Sequence, residues 1–259
     1  MSKFRNAANW LNEQHIKRLP FKNFDQKFGL ENHDDAYAVQ KALSKIWSHK
    51  GKLAGYKLAL TSKPIQAMFG IDTPMKGNLY SETILHGNQT VSLADYVHLG
   101  IEFELAIEIG EDFGKNTNGL TINDCHQKIS AIYPALELID DRKANYSTVN
   151  VISVTADNSW NANSILGRRQ TNFQKLDFFQ NSVTKNINGE IEHSQTGAVL
   201  GNPLNSVIWI ANFLSQRGEE LLMGQTIMTG STFATYFPLK GDKILYDVNS
   251  IGEVQIDIV

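Results

Sequence analysis

Hydrophobic spacing divides the chain near Gly51. Before it, Ala36, Val39, Leu43, Ile46 and Trp47 recur close to helical spacing and predict a helix over residues 34–49. Asp34 and Asp35 suit its first turn, where carboxylates meet free N–H groups, and Lys50-Gly51 reads as its end. After Gly51, short apolar runs alternate with turn residues, the texture of strands. Residues 55–60, GYKLAL, form one candidate strand, and a short helix is expected over 61–69. Residues 100–109, GIEFELAIEI, alternate most clearly; 111–119 read as a polar loop, 123–131 as a helix, and Pro134 precedes the apolar run ALELI. Asn188-Gly189, between NSVTKNI and EIEHS, signals a two-residue hairpin. Residues 205–218, NSVIWIANFLSQRG, read as a late helix capped by Asn205 and stopped by Gly218, with Trp209 in the core. The tail reads as two strands around a turn. Helices in front and mostly β behind predict an α+β fold, not the regular βαβ alternation of a nucleotide-binding sheet.

Composition narrows the function. At 259 residues the chain buries roughly 73% of its unfolded surface, enough for a sizeable core. Lys+Arg 24 against Asp+Glu 27 gives a net charge of −3, so no basic excess draws in nucleic acid. A single cysteine, Cys125, excludes a disulfide framework and reads as packing within a helix. The polar, charged start and the lack of a long apolar run predict a cytoplasmic globular protein with no membrane partner.

Candidate chemistry lies in carboxylates. On the strand 101–109 the even positions Glu102, Glu104 and Glu108 share one face. Glu102 and Glu104 are roughly 6.6 Å apart along it and can reach one cation, whereas Glu108 lies roughly 13 Å beyond Glu104. Taken alone, this strand reads more simply as a solvated face of alternating glutamates. Glu137 weighs the other way, because it is embedded in the apolar run PALELI, and buried ionised Glu is rare unless paired or metal-bound. Its partner is either Arg142 or a cation shared with Glu102 and Glu104. Oxygen-only ligands would favour Mg²⁺, Mn²⁺ or Ca²⁺ over Zn²⁺. Lys57 interrupts an apolar strand, and spacing alone turns it toward water.

In order, GYKLALTSKPIQ, GIDTPMKG, IEFELA, PALELIDDR, ISVTADNS, GNPLNSVIWIANFL, GQTIMTGS and a closing SIGEV resemble the 2-keto-4-pentenoate hydratases and 4-oxalocrotonate decarboxylases of the fumarylacetoacetate hydrolase superfamily. The resemblance runs from about residue 34 to 259. It implies a mixed β-sandwich roll with a smaller N-terminal helical region, here expected over 1–74, and a β-rich catalytic core over 75–259. It also implies Mg²⁺ or Mn²⁺ on Glu102, Glu104 and Glu137, chelated by the C1 carboxylate and C2 oxygen of a 2-oxo acid. Lys57 falls on the family's active-site lysine, and Asn158, Ser159, Thr229 and Ser231 are implied at the substrate. Glu104 and Asp157 are both candidates for the base that activates water.

The activity implied is metal-dependent hydration of 2-hydroxy-2,4-dienoates to 4-hydroxy-2-oxo acids in meta-cleavage catabolism, by a homo-oligomer acting on a small-molecule acid. The alternatives are a 4-oxalocrotonate-type decarboxylase and a non-catalytic metal-binding relative. Three departures stand out. Met75 replaces an Asp that many hydratases carry, Asn202 replaces a His, and Lys-x-Gly-Leu-Thr reads Lys57-Leu58-Ala59-Leu60-Thr61. The missing Asp points to a shorter or more apolar substrate tail. No H-E-x-x-H, G-x-S-x-G, P-loop or G-x-G-x-x-G motif occurs, which disfavours zinc, a serine nucleophile and nucleotides.

Overall fold

The computed structural model describes residues 2–259 apart from Asn116 and Asn118, with only the backbone of Met68. The polar loop read over 111–119 therefore includes two positions outside the described residues. Three helices open the chain: α1 (Lys3–Ile16), α2 (Asp25–Phe28) and α3 (His33–Ile46). Asn32 Oδ1 accepts from the Asp35 N–H at 3.0 Å, so the cap of α3 sits just ahead of its acidic first turn. Ala36, Val39 and Leu43 bury one stripe of α3 in an aromatic-rich cluster with Ala7, Ala8 and Leu11 of α1. The helix expected to reach residue 49 instead tightens at Trp47–Lys50 into a 3₁₀ turn before Gly51.

Among the described residues twelve strands follow: β1 (Leu53–Ala59), β2 (Met75–Tyr80), β3 (Ile84–His86), β4 (Gln89–Val91), β5 (Leu99–Ile109), β6 (Ile129–Asp140), β7 (Asn161–Leu166), β8 (Ser182–Ile187), β9 (Glu190–Gln195), β10 (Thr226–Ser231), β11 (Lys243–Val248) and β12 (Gly252–Ile258). Between them lie α4 (Lys63–Met68), α5 (Ile122–Gln127), α6 (Val151–Ala156) and α7 (Leu204–Ser215). The larger sheet runs β2-β1-β10-β5-β6-β7-β3 and the smaller β4-β12-β11-β8-β9. β1 precedes residue 75, yet it is an inner strand of the larger sheet, parallel to β10. The odd positions of β5 (Ile101, Phe103, Leu105, Ile107 and Ile109) share one core with Tyr246, Val254 and Ile256 of the smaller sheet and with Val207 and Ile210 of α7.

Two local expectations are corrected. The helix expected over 123–131 ends at Gln127, because residues from Ile129 onward pair with β5 along its length. Asn205 does not cap α7: that helix starts at Pro203-Leu204, Asn202 Oδ1 accepts from the Leu204 N–H, and the Asn205 amide donates to the Leu200 carbonyl. Trp209 is half-buried, stacked on Phe213 and donating to Thr73. Cys125 is buried in α5, where burial pushes its thiol up to about 12. Among the described residues no helix is long and apolar enough to cross a membrane.

Candidate metal centre and active site

Strand register assembles the site. On paired strands Glu102 lies directly opposite Glu137, and Glu104 lies opposite Ala135 on one side and Ser231 on the other. Carboxylate oxygens of Glu102, Glu104 and Glu137 all come within 4.8 Å of one another. Like charges placed directly opposite on adjacent strands repel, so the register is unfavourable by itself. Lys57, on β1, sends its ammonium to Glu137 Oε1 at 3.0 Å and is only 2% exposed. Lys57 therefore does not face water, as spacing alone suggests. β1 is an inner strand, and the residue opposite Lys57 on β2 is Gly77. A Cβ at Gly77 would stand 3.1 Å from Lys57 Cγ and 2.6 Å from the Asn158 carbonyl, so the lysine passes where only glycine leaves room. Arg142 is not the partner of Glu137.

Glu104 and Glu137 are fully buried, and half-buried Glu102 is the member of the three that reaches a cavity of about 250 Å³. Each carboxylate is held in place. Glu104 Oε2 accepts from the Gly230 N–H at 2.8 Å, Glu137 Oε1 from Asn161 at 2.9 Å, and Glu102 Oε1 from Thr235 at 2.9 Å. Gly230 has φ +114°, and a Cβ there would collide with Thr61, so the amide reaches Glu104 only from glycine. Among the described residues, Glu104 Oε1 and Glu137 Oε2 are buried with no hydrogen-bond partner. Burial, then the charges of Glu137 and Glu102, hold the Glu104 carboxyl well above the usual carboxylate range. Burial also raises Glu137, against the pull of Lys57. Burial alone would lower the Lys57 ammonium, but Glu137, Glu102 and Glu104 outweigh it and raise it. Three carboxylates against one ammonium leave a formal charge of −2, and one divalent cation would cancel it. Orphaned oxygens in an all-carboxylate set suit a hard cation.

Glu108 stands apart, as its distance along β5 predicts. It pairs with Arg169 and accepts from Tyr133 and Ser130, and these bonds, Arg169 first, hold its carboxyl down at about 2. Ser159 and Ser231 line the cavity with Lys57 and Glu102. Their hydroxyls are already engaged: Ser159 donates to the Lys76 carbonyl and Ser231 accepts from the Phe103 N–H. Thr229 donates to the Leu105 carbonyl and is fully buried, outside the cavity wall. Asn158 brackets the backbone of Asn78, accepting at 2.7 Å and donating at 3.0 Å. Asn158, Ser159 and Trp160 all have φ near the left-handed region (52°, 50° and 60°), strain that these bonds hold in place next to the cavity. Asp157 does not wall the cavity. One of its oxygens is held by the Arg142 guanidinium and the other by His15 at 2.6 Å.

Asn161 and Thr235 were not singled out by the sequence, although each hydrogen-bonds a carboxylate of the cluster. Asn161 lies two residues beyond Ser159, and Thr235 four beyond Ser231, but no spacing rule marks either of them. Only the folded register carries that signal. Met75 lines the cavity among Leu58, Leu60, Ile65, Phe69 and Val154, so its far side is largely apolar.

No family model matches the chain. Individual relatives do. The 4-oxalocrotonate decarboxylase of Pseudomonas putida is 33% identical over 227 residues, covering 87% of this chain and 85% of that protein. The 2-oxo-hept-4-ene-1,7-dioate hydratase of Escherichia coli is 33% identical over 234 residues, covering 87% and 86%. The solved structure of 4-oxalocrotonate decarboxylase from Pseudomonas putida G7, complexed with magnesium and adipate, superposes with a TM-score of 0.91 at 28% identity, covering 99% of this chain and 97% of that one. Fumarylpyruvate hydrolase from Pseudomonas aeruginosa, at 12% identity and a TM-score of 0.62 over 81% of this chain and 90% of that one, shares the fold. An α+β chain of two mixed sheets behind a small helical region, with these relatives along nearly its whole length, belongs to the 2-keto-4-pentenoate hydratase and 4-oxalocrotonate decarboxylase family of the fumarylacetoacetate hydrolase superfamily.

Proposed function

We propose that this chain is a divalent-cation-dependent lyase acting on unsaturated 2-oxo acids, and that its reaction is hydration of a 2-hydroxy-2,4-dienoate. The carrying observation is the convergence of Glu102, Glu104 and Glu137 beside buried Lys57, with two carboxylate oxygens left unpartnered. Glu102, Glu104 and Glu137 would hold Mg²⁺ or Mn²⁺. Bound there, the ion supplies Lewis acidity for the C2 oxygen and a counter-charge for the C1 carboxylate. The activities for which the relatives are named, hydration and decarboxylation of such acids, agree with this substrate class.

Lys57 supplies fixed positive charge at the cavity floor, where negative charge develops on the acid's oxygens. Asn161 and Thr235 keep Glu137 and Glu102 aimed at one point, so little reorganisation is left for the reaction. Of the two candidate bases, Glu104 keeps one oxygen unpartnered among the described residues, whereas both oxygens of Asp157 are held by Arg142 and His15. Of the cavity's lining residues only Lys57 is cationic, which favours a monocarboxylate over a diacid.

The cavity's largely apolar far side favours a second reading. A diacid's distal carboxylate held against Ile65, Phe69 and Met75 would be destabilised relative to neutral CO₂, and its loss needs no activated water. Two assays separate the readings: 2-hydroxypenta-2,4-dienoate with product identified as 4-hydroxy-2-oxopentanoate, and 2-oxohex-3-enedioate with CO₂ trapped. Mg²⁺-dependent loss of diene absorbance supports hydration, CO₂ release alone supports decarboxylation, and neither with Mg²⁺ bound overturns both.

A further inference from the structure

The β1–β2 ribbon lines a cavity on each of its faces. Lys57 and Met75 line the catalytic cavity, while their neighbours Tyr56 and Lys76 line a separate cavity of about 600 Å³, with Tyr37, Asn78, Phe213 and Arg217. Lys76 is 8% exposed, and its ammonium donates to Gln40 Oε1 at 2.7 Å and Asn78 Oδ1 at 2.9 Å. Both acceptors are oriented by other bonds. The Gln40 amide donates to the carbonyls of Lys76 and Thr155, and the Asn78 amide donates to Ser44 Oγ, which is itself bonded to the Tyr80 hydroxyl. The pocket is thus built to point oxygens at an ammonium, yet both of those oxygens are neutral.

Among the described residues Lys76 has no carboxylate partner within salt-bridge distance. Glu219 and Lys41 line the same cavity and pair with each other at 3.0 Å, and Asp34 holds Arg217. An ammonium has three N–H donors, and these contacts account for two. A buried charge without a counter-ion is costly, and a ligand can supply the counter-ion. The walls define that ligand's body. Tyr37, Tyr56 and Phe213 rings stand 5.2, 5.2 and 5.9 Å from the Lys76 ammonium, and the Arg217 guanidinium lies 3.8 Å over Phe213. We propose that this second cavity binds a small planar organic anion, its carboxylate on Lys76 and its apolar body among the aromatic rings, back to back with the catalytic cavity.

Burial lowers the Lys76 ammonium to about 7, with Glu219 raising it and Arg217 and Lys41 lowering it further. Tyr37 on α3, Tyr56 on β1 and Tyr80 on β2 also face the cavity, all with raised phenols that stay neutral at working pH. Anion binding therefore weakens as pH rises above about 7.

The test is calorimetric titration of benzoate into Mg²⁺-loaded wild type and into the Lys57→Met variant, which removes the cation of the catalytic cavity and leaves Lys76 in place. One benzoate should bind at pH 6.5 and bind more weakly at pH 8, where binding takes up a proton, as shown by dependence on buffer ionisation enthalpy. Lys76→Met should weaken binding about tenfold or more and abolish the pH dependence. Arg217→Gln, at a partly exposed site, should weaken it severalfold. No benzoate binding at millimolar concentration, or equal affinity in the wild type and the Arg217 variant with no pH dependence, overturns the proposal. Hydratase or decarboxylase turnover is measured separately on the same samples, so failure of the catalytic assignment leaves this result readable.

Discussion

Replacing Glu104 by Gln should stabilise the metal-free protein while removing its response to Mg²⁺. Carboxylate oxygens of Glu102, Glu104 and Glu137 lie within 4.8 Å of one another. Two unit charges at that separation repel by about 3.5 kcal/mol at an effective dielectric constant of about 20. Protonation relieves part of this, because burial and its neighbours already hold Glu104 well above the carboxylate range. A net gain of about 2 kcal/mol is therefore expected in metal-free Glu104→Gln. At about 0.5 kcal/mol per degree for a chain of this length, that raises the melting temperature by about 4 °C. Mg²⁺ at a hundred times its Kd should add about 2.7 kcal/mol to the wild type, about 5 °C, and far less to the variant. Thermal melts of chelator-stripped wild type and variant, with and without Mg²⁺, read both effects. A metal-free variant that melts below the wild type while keeping the full Mg²⁺ shift would refute the assignment of these carboxylates as a cation site.

Other outcomes follow from the same geometry. Lys57→Met should cut kcat/KM by about 10²–10³ without weakening Mg²⁺ affinity, since it removes positive charge beside Glu137; steady-state kinetics and metal titration check this together. Asp157→Ala leaves Arg142 buried and unpaired and should cost about 3–5 kcal/mol in denaturant unfolding, with the remaining activity tracking the folded fraction. Glu108 has its carboxyl held below its unfolded value, so its contribution is present above the ordinary carboxylate range and disappears as pH falls toward about 2; Glu108→Gln should flatten the acid limb of the stability curve. Cys125 should resist iodoacetamide at pH 8 in the native protein and react once it is unfolded, as quantified by mass spectrometry.

The legible parts of this chain are those written in local spacing. Asp34 and Asp35 mark the start of α3, the alternation of residues 101–109 marks β5, and Asn188-Gly189 joins β8 to β9. Glu137 betrays itself by its apolar surroundings, and motif resemblance reaches Lys57, although its spacing favours solvent. Residues read less well where a pairing partner far along the chain decides. Residues 129–131 look helical until β5 takes them into a strand, and Asn205 looks like a cap until Asn202 takes that place.

What the sequence by itself determined is most of the local elements and a short set of candidate carboxylates, because helical and strand periods and the rarity of buried charge are properties of neighbouring residues. What only the tertiary structure decided is who meets whom. The pairing of β5 with β6 puts Glu102 opposite Glu137, and Gly77 makes room for Lys57 beside them. Arg142 turns to Asp157 instead, and Lys76 ends in a second cavity. These meetings join residues dozens of positions apart, and strand register and burial, which belong to the whole fold, select them.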